Sequence, residues 1–202
     1  NLPLIYHREH LFPYTSYGET AETPVLRAFR MVVLENDTLR VEVAPELGGR
    51  VYSLFDKILG QEILFRNPVV KPVRILPIWG FISGGIEFNF PIAHSPTSMS
   101  TIGCSTGQAG GYGYIRLGER EARTGMEWAV ELGLVEDRPV LVQRTAFRNR
   151  TSQAHPWMSW TIAAVRSTTD TEFIHPPDRV LVHDQQVAEL DWPGDGLNWD
   201  RN

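Results

Sequence analysis

The chain has 202 residues, of which 42% are apolar and 21% are charged, and its formal net charge is −5. This length and apolar content suit one large domain with its own core and exclude intrinsic disorder. The mild negative charge, without a basic stripe, excludes nucleic acid as a partner, because nothing would displace counterions from phosphates.

In chain order, an irregular lead-in at residues 1–26 is followed by a pattern that predicts one β domain over 27–202. Few or no helices are expected, because sheet-forming residues are plentiful and long Ala/Leu/Glu/Lys runs are absent. In residues 39–43, Leu and Val alternate with Arg40 and Glu42, which is the period of a half-buried strand. The early predicted strands are 31–34, 39–43, 50–55 and 62–65.

Residues 67–106 lack a regular period and contain five prolines and a pair of glycines. A long irregular segment inside a compact domain is usually functional or disordered, and the aromatic residues in this one exclude disorder. We therefore predict an ordered loop that wraps over the sheet. The glycine-rich residues 107–113 are predicted to turn into a strand at 112–117, since no helix N-terminus follows them to bind phosphate.

The clearest feature is a hairpin of residues 126–135 and 140–148, joined by a four-residue loop at 136–139. With that loop, two opposite-charge pairs lie on one face and two apolar pairs lie on the other, so the register is self-consistent. The four pairs are Glu131 with Arg144, Glu127 with Arg148, Trp128 with Phe147, and Leu134 with Leu141. Further strands are predicted at 157–165 and 179–182.

Residues 86–90 are the most informative about function. In an extended strand, Glu87 and Asn89 share one face, opposite three apolar side chains. A carboxylate and a carboxamide at this spacing, preceded by two glycines that let a ligand approach, suit the hydroxyl groups of a sugar. The alternative is that Glu87 binds backbone amides of the surrounding loop. The residues alone do not decide between these two interpretations.

Three further side chains complete the predicted site. His94 is a polar ligand contact or a proton carrier. Arg50, at the start of a strand, either pairs with an acid in the core or meets the hydroxyl groups of a ligand. Trp79 lies in the irregular segment and is a candidate for packing on the ligand. The candidate catalytic residues are thus Glu87 and His94, and the candidate substrate-binding residues are Arg50, Asn89 and Trp79.

No cofactor or metal is predicted. The sequence has no P-loop, zinc-protease or serine-hydrolase motif and no paired cysteines with zinc spacing. The spacing of His155, His175, His183 and Asp184 matches no tight ligand pair. A single cysteine, Cys104, excludes an internal disulfide, which agrees with the cytoplasm. Export stays open because the first residue is not Met, and no apolar run is long enough to span a membrane.

Three blocks of sequence carry a family resemblance. They are Leu39 to Ser53 with Asp56-Lys57 and Arg66-Asn67, then Gly84 to Pro91 with His94, then Trp160 to Val165 with Thr171-Glu172-Phe173. Together they resemble the galactose-mutarotase-like superfamily. Within it, the chain is most similar to a bacterial domain-of-unknown-function family often fused to tetratricopeptide repeats. The resemblance implies an antiparallel, twisted β-supersandwich whose concave face binds carbohydrate.

Two departures from that superfamily matter. Its aldose epimerases use a histidine after an Asn-x-Thr strand as acid and a distal glutamate as base. An Asn-x-Thr sequence is present at 149–151, but His155 follows it too closely, and Thr161 and Ile162, near the expected position, cannot carry a proton at neutral pH. The glutamate would lie beyond Asn202. We therefore expect the N-terminal part of a longer supersandwich, whose open sheet edges are covered by further strands, a fused repeat domain or a second copy.

Three functions remain open from the sequence. The first is an enzyme with glycosidase-like or epimerase-like chemistry on a sugar, which requires an acid and a base on opposite sides of the substrate. The second is a non-catalytic sugar-recognition module attached to another domain. The third is a structural sandwich with protein partners. Turnover, binding without turnover, and failure to bind any sugar would distinguish them.

Overall fold

A computed structural model describes residues 13–14, 22–74, 80–91, 94–171, 178–183 and 187–191 of the chain. Within these residues the regular structure is antiparallel β-strand, apart from a short 3-10 turn at Pro45–Leu47. The predicted all-β class with few or no helices is confirmed. The chain divides into two compact units, with the boundary between Val165 and Arg166. No helix in the described residues is long and apolar enough to cross a membrane.

The first unit carries most of the strands. Their bounds are β1 (Val32–Glu35), β2 (Leu39–Ala44), β3 (Arg50–Asp56), β4 (Gln61–Glu62), β5 (Val73–Arg74), β6 (Gly80–Phe81), β7 (Ile86–Asn89), β8 (Gly103–Ala109), β9 (Tyr112–Arg120), β10 (Met126–Val135), β11 (Leu141–Asn149) and β12 (Trp160–Ala163). The second unit contains the antiparallel pair β13 (Arg179–His183) and β14 (Val187–Asp191).

Two sheets of the first unit pack face to face as a sandwich. One has six strands in the order β1-β2-β3-β7-β12, with β4 paired to β3, and the other has four in the order β11-β10-β9-β8. One cluster of buried apolar side chains lies between them, drawn from β2, β3 and β7 on one side and β9 and β10 on the other. Val41, Ile115 and Leu132 in this cluster are completely buried. Burial of this shared apolar surface is what holds the sheets together.

The strand predicted at residues 39–43 forms as β2. Leu39, Val41 and Val43 of β2 are buried in the core, while Arg40 between them is exposed. The alternation of apolar and charged residues therefore identified both the strand and its buried face. The strand predicted at 62–65 is shorter, since only Gln61–Glu62 pairs with β3 and Leu64 forms an isolated bridge to Val165.

A β-bulge changes the faces of β3. The pairing shifts between Glu42 and Val43, so that Val43 lies opposite Val51 and Val41 lies opposite Leu54. Both Val51 and Leu54 pack on the core, which strict alternation cannot achieve for residues three apart. Arg50 pairs with Ala44, which lies in a separate small apolar cluster, so Arg50 is on the outer face of the six-stranded sheet.

The hairpin of β10 and β11 has the predicted register. All four predicted cross-strand pairs are neighbours in the structure. Glu131 forms ion pairs with Arg144 at 3.2 Å and with Arg116 of β9 at 2.7 Å. Glu127 lies opposite Arg148 as predicted but forms its ion pair with Arg150 instead, at 2.6 Å.

The prediction of one irregular loop over residues 67–106 was wrong, because the short pair β5 and β6, the strand β7 and the start of β8 all lie within it. β7 is an interior strand of the six-stranded sheet, between β3 and β12, and β8 is the outer strand of the four-stranded sheet. Four residues of alternation in β7 are too few to define a period among the surrounding prolines and glycines. β8 has mostly small, polar and exposed residues, so it has no apolar pattern to detect.

The segment between β7 and β8 carries the chain from one sheet to the other, and we call residues 94–102 of it the crossing connection. It packs tightly against Gly48, which has a φ of 67°. A Cβ at Gly48 would lie 2.8 Å from Cα of Ser98 and from the carbonyl oxygen of Thr97. The Gly48 N–H also donates to the carbonyl of Ser100 at 2.9 Å. Glycine at this position therefore serves both the turn and the close approach of the connection.

Candidate functional site

The predicted site forms where β7 lies against β3. Gly85, just before β7, has a φ of 70°, and a Cβ there would lie 2.2 Å from the carbonyl oxygen of Val51. The sequence suggested that Gly84 and Gly85 let a ligand approach. In the structure they let the protein's own strands approach instead, and this brings Glu87 next to Arg50.

Glu87 lies at the centre of a buried group of polar side chains. Its Oε1 accepts from Nη2 of Arg50 at 3.2 Å, and its Oε2 accepts from Nδ2 of Asn89 at 3.2 Å. Oε2 also contacts Nδ1 of His94 at 2.8 Å. Glu87 is 4% exposed and Asn89 is 2% exposed. The structure thus brings four of the five predicted site residues together, while Trp79 lies outside the described residues.

Arg50 is held as an internal ion-pair partner. It is buried, and its Nη1 donates to the carbonyl oxygen of Gly84 at 2.5 Å. Burial lowers the pKa of the guanidinium, and the charge of Glu87 opposes that effect. Of the two interpretations of Arg50, the structural ion pair with an acid is the one that the geometry matches.

Glu87 and Asn89 do not line an open groove. Their polar atoms bind each other, Arg50, His94 and the N–H of Ser95. Two surface cavities, of about 360 and 290 Å³, lie elsewhere: one at the turns near Asn36 and Gly111, the other at the end of β10 and β11. The expectation that both side chains meet solvent was therefore wrong. The expectation that Glu87 binds backbone amides does not describe it either, because the hydrogen bonds that it accepts come from side chains.

His94 is the member of the group that reaches the surface, with its side chain 13% exposed. The ring is held edge-on against Phe81, with centroids 5.1 Å apart, and against Trp160, with centroids 6.0 Å apart. A carboxylate only accepts, so the contact with Glu87 puts a proton on Nδ1 and leaves Nε2 as an acceptor in the neutral ring. Among the described residues no hydrogen-bond partner lies at Nε2.

Trp160 and Phe81 are site residues that the sequence did not single out. In the pairing of β12 with β7, Trp160 lies opposite Asn89, and Ile162 lies opposite Glu87. Alternation in the strand predicted at 157–165 puts Trp160 and Ile162 on one face. The sequence does not show which strand lies beside Trp160 and Ile162, because this depends on the tertiary pairing of β12 with β7.

A second buried polar group continues from the site into the sandwich. The N–H of Ser95 donates to Oδ1 of Asn89 at 2.9 Å, and the hydroxyl groups of Ser95 and Thr97 are 2.9 Å apart. The Thr97 hydroxyl also donates to Oε1 of Glu119 on β9. Nε1 of Trp128 donates to the same oxygen at 3.3 Å. No pattern in the sequence identifies Glu119 as a site residue, because a lone carboxylate in an amphipathic strand usually faces solvent.

The partly buried position of Glu119 predicts a pH-dependent contribution to stability. Burial raises the pKa of this carboxyl above its usual value of 4.5, although hydrogen bonds from Thr97 and Trp128 oppose the rise. The folded protein then holds the proton more tightly than the unfolded chain, so the contribution is fully present below the unfolded pKa and is lost as the pH rises through the raised one.

Glu119→Gln keeps an acceptor oxygen but does not titrate. We expect the free energy of unfolding of this variant, relative to the wild type, to increase between pH 4 and pH 8. Denaturant titrations at several pH values measure this difference. A difference that stays constant, or that falls as the pH rises, would contradict the prediction.

Within the described residues, no group of three His, Cys, Asp or Glu side chains could hold a metal ion. Of the histidines considered for metal binding, His155 is half-buried at the end of the β10–β11 hairpin. His175 and Asp184 lie outside the described residues. The polar group around Glu87 is satisfied by an arginine and an amide, which are not the partners of a metal site.

Comparison with known proteins identifies the family to which this chain belongs. The profile of a domain of unknown function, DUF5107, matches residues 7–202. The chain belongs to this family. This confirms the resemblance to a domain-of-unknown-function family that the sequence blocks indicated.

The DUF5107 chain is also similar to a solved structure, the crystal structure at 2.26 Å resolution of a TPR-domain containing protein from Parabacteroides distasonis ATCC 8503. The two are 41% identical, with a TM-score of 0.82 over 92% of the DUF5107 chain. The match covers 32% of the other chain, so the DUF5107 chain spans about a third of that protein's length.

Proposed function

We propose that this chain binds carbohydrate at the outer face of its six-stranded sheet, where His94 reaches the surface between Phe81 and Trp160. In this arrangement Nε2 of His94 binds a sugar hydroxyl group, and the two aromatic rings contact the apolar C–H faces of the sugar. A polar atom held between aromatic walls is a common way to recognise such an amphipathic ligand.

The observation that carries the proposal is the contact of 2.8 Å between Glu87 and Nδ1 of His94. Arg50 and Asn89 fix the carboxylate of Glu87, and that carboxylate fixes the imidazole ring. The outward nitrogen is therefore held in one orientation before any ligand arrives, which lowers the entropy cost of binding. A histidine that only packs at the surface would not need a carboxylate that is itself held by two other side chains.

The proposal gives the predicted residues different roles from those first expected. Glu87, Asn89 and Arg50 position His94 from below and do not themselves touch the ligand, because they are buried and bound to one another. His94 takes the ligand contact. Trp160 and Phe81 take the packing role that was expected of Trp79.

The finer assignment to the galactose-mutarotase-like superfamily is part of this proposal. It draws support from the three sequence blocks and from the two-sheet antiparallel sandwich. A fused tetratricopeptide repeat is likewise proposed, with support from the TPR-domain containing relative. In such a protein the sugar-binding domain directs or regulates the attached repeats.

A second candidate function is proton transfer at the bound sugar. The pairing of Glu87 with His94 favours it, since a carboxylate that orients an imidazole is a recurrent arrangement in general acid–base catalysis. The reaction would be glycosidase-like or epimerase-like. It also needs a second proton-carrying group across the substrate.

Binding is tested by calorimetry and saturation-transfer NMR on the full-length protein with a panel of neutral, amino and acidic mono- and oligosaccharides. We expect His94→Ala and Trp160→Ala each to weaken binding about tenfold or more, because each removes a direct contact. His155→Ala is the matched control for His94→Ala, since His155 is a histidine that lies outside the site, and we expect wild-type affinity from it.

Two results would overturn the proposal. One is failure of the wild type to bind any sugar of the panel, which would favour the structural sandwich with protein partners. The other is equal weakening by His94→Ala and by its control His155→Ala. Product formation with the sugar that binds, absent in His94→Ala, would support the catalytic function over recognition alone.

A further inference from the structure

We propose that Glu119 is a positioning residue of the His94 site and acts on it through Thr97 and Ser95 of the crossing connection. This inference rests on the proposed function, because His94 is the residue through which the sugar is bound there. Glu119 lies on the opposite sheet of the sandwich and does not touch His94, so its effect has to pass through the connection.

The crossing connection is anchored to both sheets close to His94. On the six-stranded sheet, Asn89 accepts the N–H of Ser95, the residue directly after His94, at 2.9 Å. On the four-stranded sheet, the carboxylate of Glu119 accepts the hydroxyl of Thr97. His94 thus stands directly before a short segment whose two ends are held by different sheets.

The hydrogen bonds along this segment run in one direction. When Glu119 is ionised its carboxylate can only accept, so Thr97 gives its single hydroxyl proton to Glu119. In the contact of 2.9 Å between the two hydroxyl groups, Ser95 is then the donor and Thr97 the acceptor. The order of donation is Ser95 to Thr97 to Glu119, and Trp128 completes the coordination of the carboxylate from the core.

Because the hydroxyl groups of Ser95 and Thr97 are buried, other partners cannot easily replace the hydrogen bonds that run from Ser95 to Thr97 to Glu119. Ser95 is 3% exposed and Thr97 is 4% exposed, so neither hydroxyl can exchange its partner for bulk water. Buried hydrogen bonds in series polarise one another, and each unmade bond in such a place is costly. The segment therefore has one arrangement in which the hydroxyl groups of Ser95 and Thr97 are both hydrogen-bonded, and the carboxylate of Glu119 on β9 determines that arrangement.

The same network reaches the ring of His94 from two sides. Asn89 accepts from Ser95 and donates to Oε2 of Glu87, the oxygen that also contacts Nδ1 of His94. Ser95 fixes the backbone next to His94, and Glu87 fixes its ring. Loss of the Thr97 hydroxyl would leave the Ser95 hydroxyl without its acceptor and Glu119 with the hydrogen bond from Trp128 alone, and the connection would shift to replace the lost bonds. We expect the ring to lose its single orientation as a result.

The experiment compares Thr97→Val, Thr97→Ser and Glu119→Gln with the control Thr124→Val in the full-length protein. Thr124 is matched to Thr97 because its hydroxyl donates to a carboxylate, that of Glu121, at 2.6 Å, and its hydrogen bonds among the described residues join Glu121 and Met126 rather than the crossing connection. The first readout is the tautomer of His94 from the ¹⁵N shifts of its ring, which requires no sugar. The second is the affinity for whichever sugar binds the wild type.

We expect the wild type to hold the proton of the neutral His94 ring on Nδ1. Thr97→Val should populate both tautomers and weaken sugar binding about five- to tenfold. Thr97→Ser keeps the hydroxyl and should restore both readouts. Glu119→Gln retains an acceptor and should fall between Thr97→Val and the wild type. Thr124→Val should lose stability comparably but keep the wild-type tautomer and affinity.

The two proposals fail separately. A wild type that binds no sugar overturns the proposed function, and the tautomer still tests the positioning role. A wild-type tautomer in Thr97→Val overturns the positioning role, whatever the sugar affinity. Equal changes in Thr97→Val and Thr124→Val would also overturn it, because they would show general loosening of the sandwich rather than an effect through the connection.

Discussion

Replacing Glu87 by alanine is expected to lower the free energy of unfolding by about 3–5 kcal/mol. The change removes the carboxylate that pairs with Arg50 at 3.2 Å, and both side chains are almost fully buried. A guanidinium left in that position has lost its counter-ion and cannot reach water. Denaturant unfolding of the full-length protein, followed by fluorescence or circular dichroism, measures the effect.

Glu131→Ala is the control for charge loss near a surface. Glu131 also pairs with arginines, but those arginines are exposed to solvent, so its removal should cost less than about 1 kcal/mol. A second comparison separates the cost of the unpaired arginine from the value of the pair. The double variant Arg50→Met/Glu87→Leu should be more stable than Glu87→Ala, because no buried charge remains. Equal losses in Glu87→Ala and Glu131→Ala would contradict the buried ion pair.

Replacing Gly85 by alanine is expected to cost about 3 kcal/mol. Its φ of 70° is strained for any residue with a side chain, and the added Cβ would lie 2.2 Å from the carbonyl oxygen of Val51. The backbone of β3 or β7 has to move to remove that clash. Since β7 carries Glu87, we also expect the fixed tautomer of His94 to be lost. Thermal unfolding and the ¹⁵N shifts of the ring measure the two effects.

Gly60→Ala isolates the contribution of backbone strain. Gly60 has a nearly identical φ of 66°, but no heavy atom lies within 4 Å of a Cβ built there. Its substitution should therefore cost only about 1 kcal/mol and leave His94 unchanged. If Gly60→Ala is as damaging as Gly85→Ala, then the close approach of β7 to β3 is not what requires glycine at position 85.

Strands with a long apolar alternation were predictable from the sequence. The ten residues of β10 have five apolar side chains on one face, and a one-residue slip of its register with β11 would lose both opposite-charge pairs. β7 and β8 could not be predicted in this way, for two different reasons. β7 has only four residues, and β8 is exposed along most of its length and has no buried face to leave a pattern.

The site was predictable in composition but not in arrangement. Glu87, Asn89, Arg50 and His94 were expected together, and the hydrogen bonds join them. The sequence could not say which side chains face solvent, because that depends on the distance between β7 and β3. It also could not identify Trp160, which is brought to the site by a strand some seventy residues further along the chain.

By itself, the sequence determined the all-β class, the buried faces of β2 and β10 and the register of the hairpin between β10 and β11. These properties depend on residues that are neighbours in the chain or across one short turn. The two-residue alternation of apolar and polar side chains in a strand therefore reveals them in the sequence. The tertiary structure alone decided that Glu87 is enclosed and that His94 is the exposed member of the group. Burial depends on contacts between strands that are distant in the chain. The local periodicity of the sequence carries no information about such contacts.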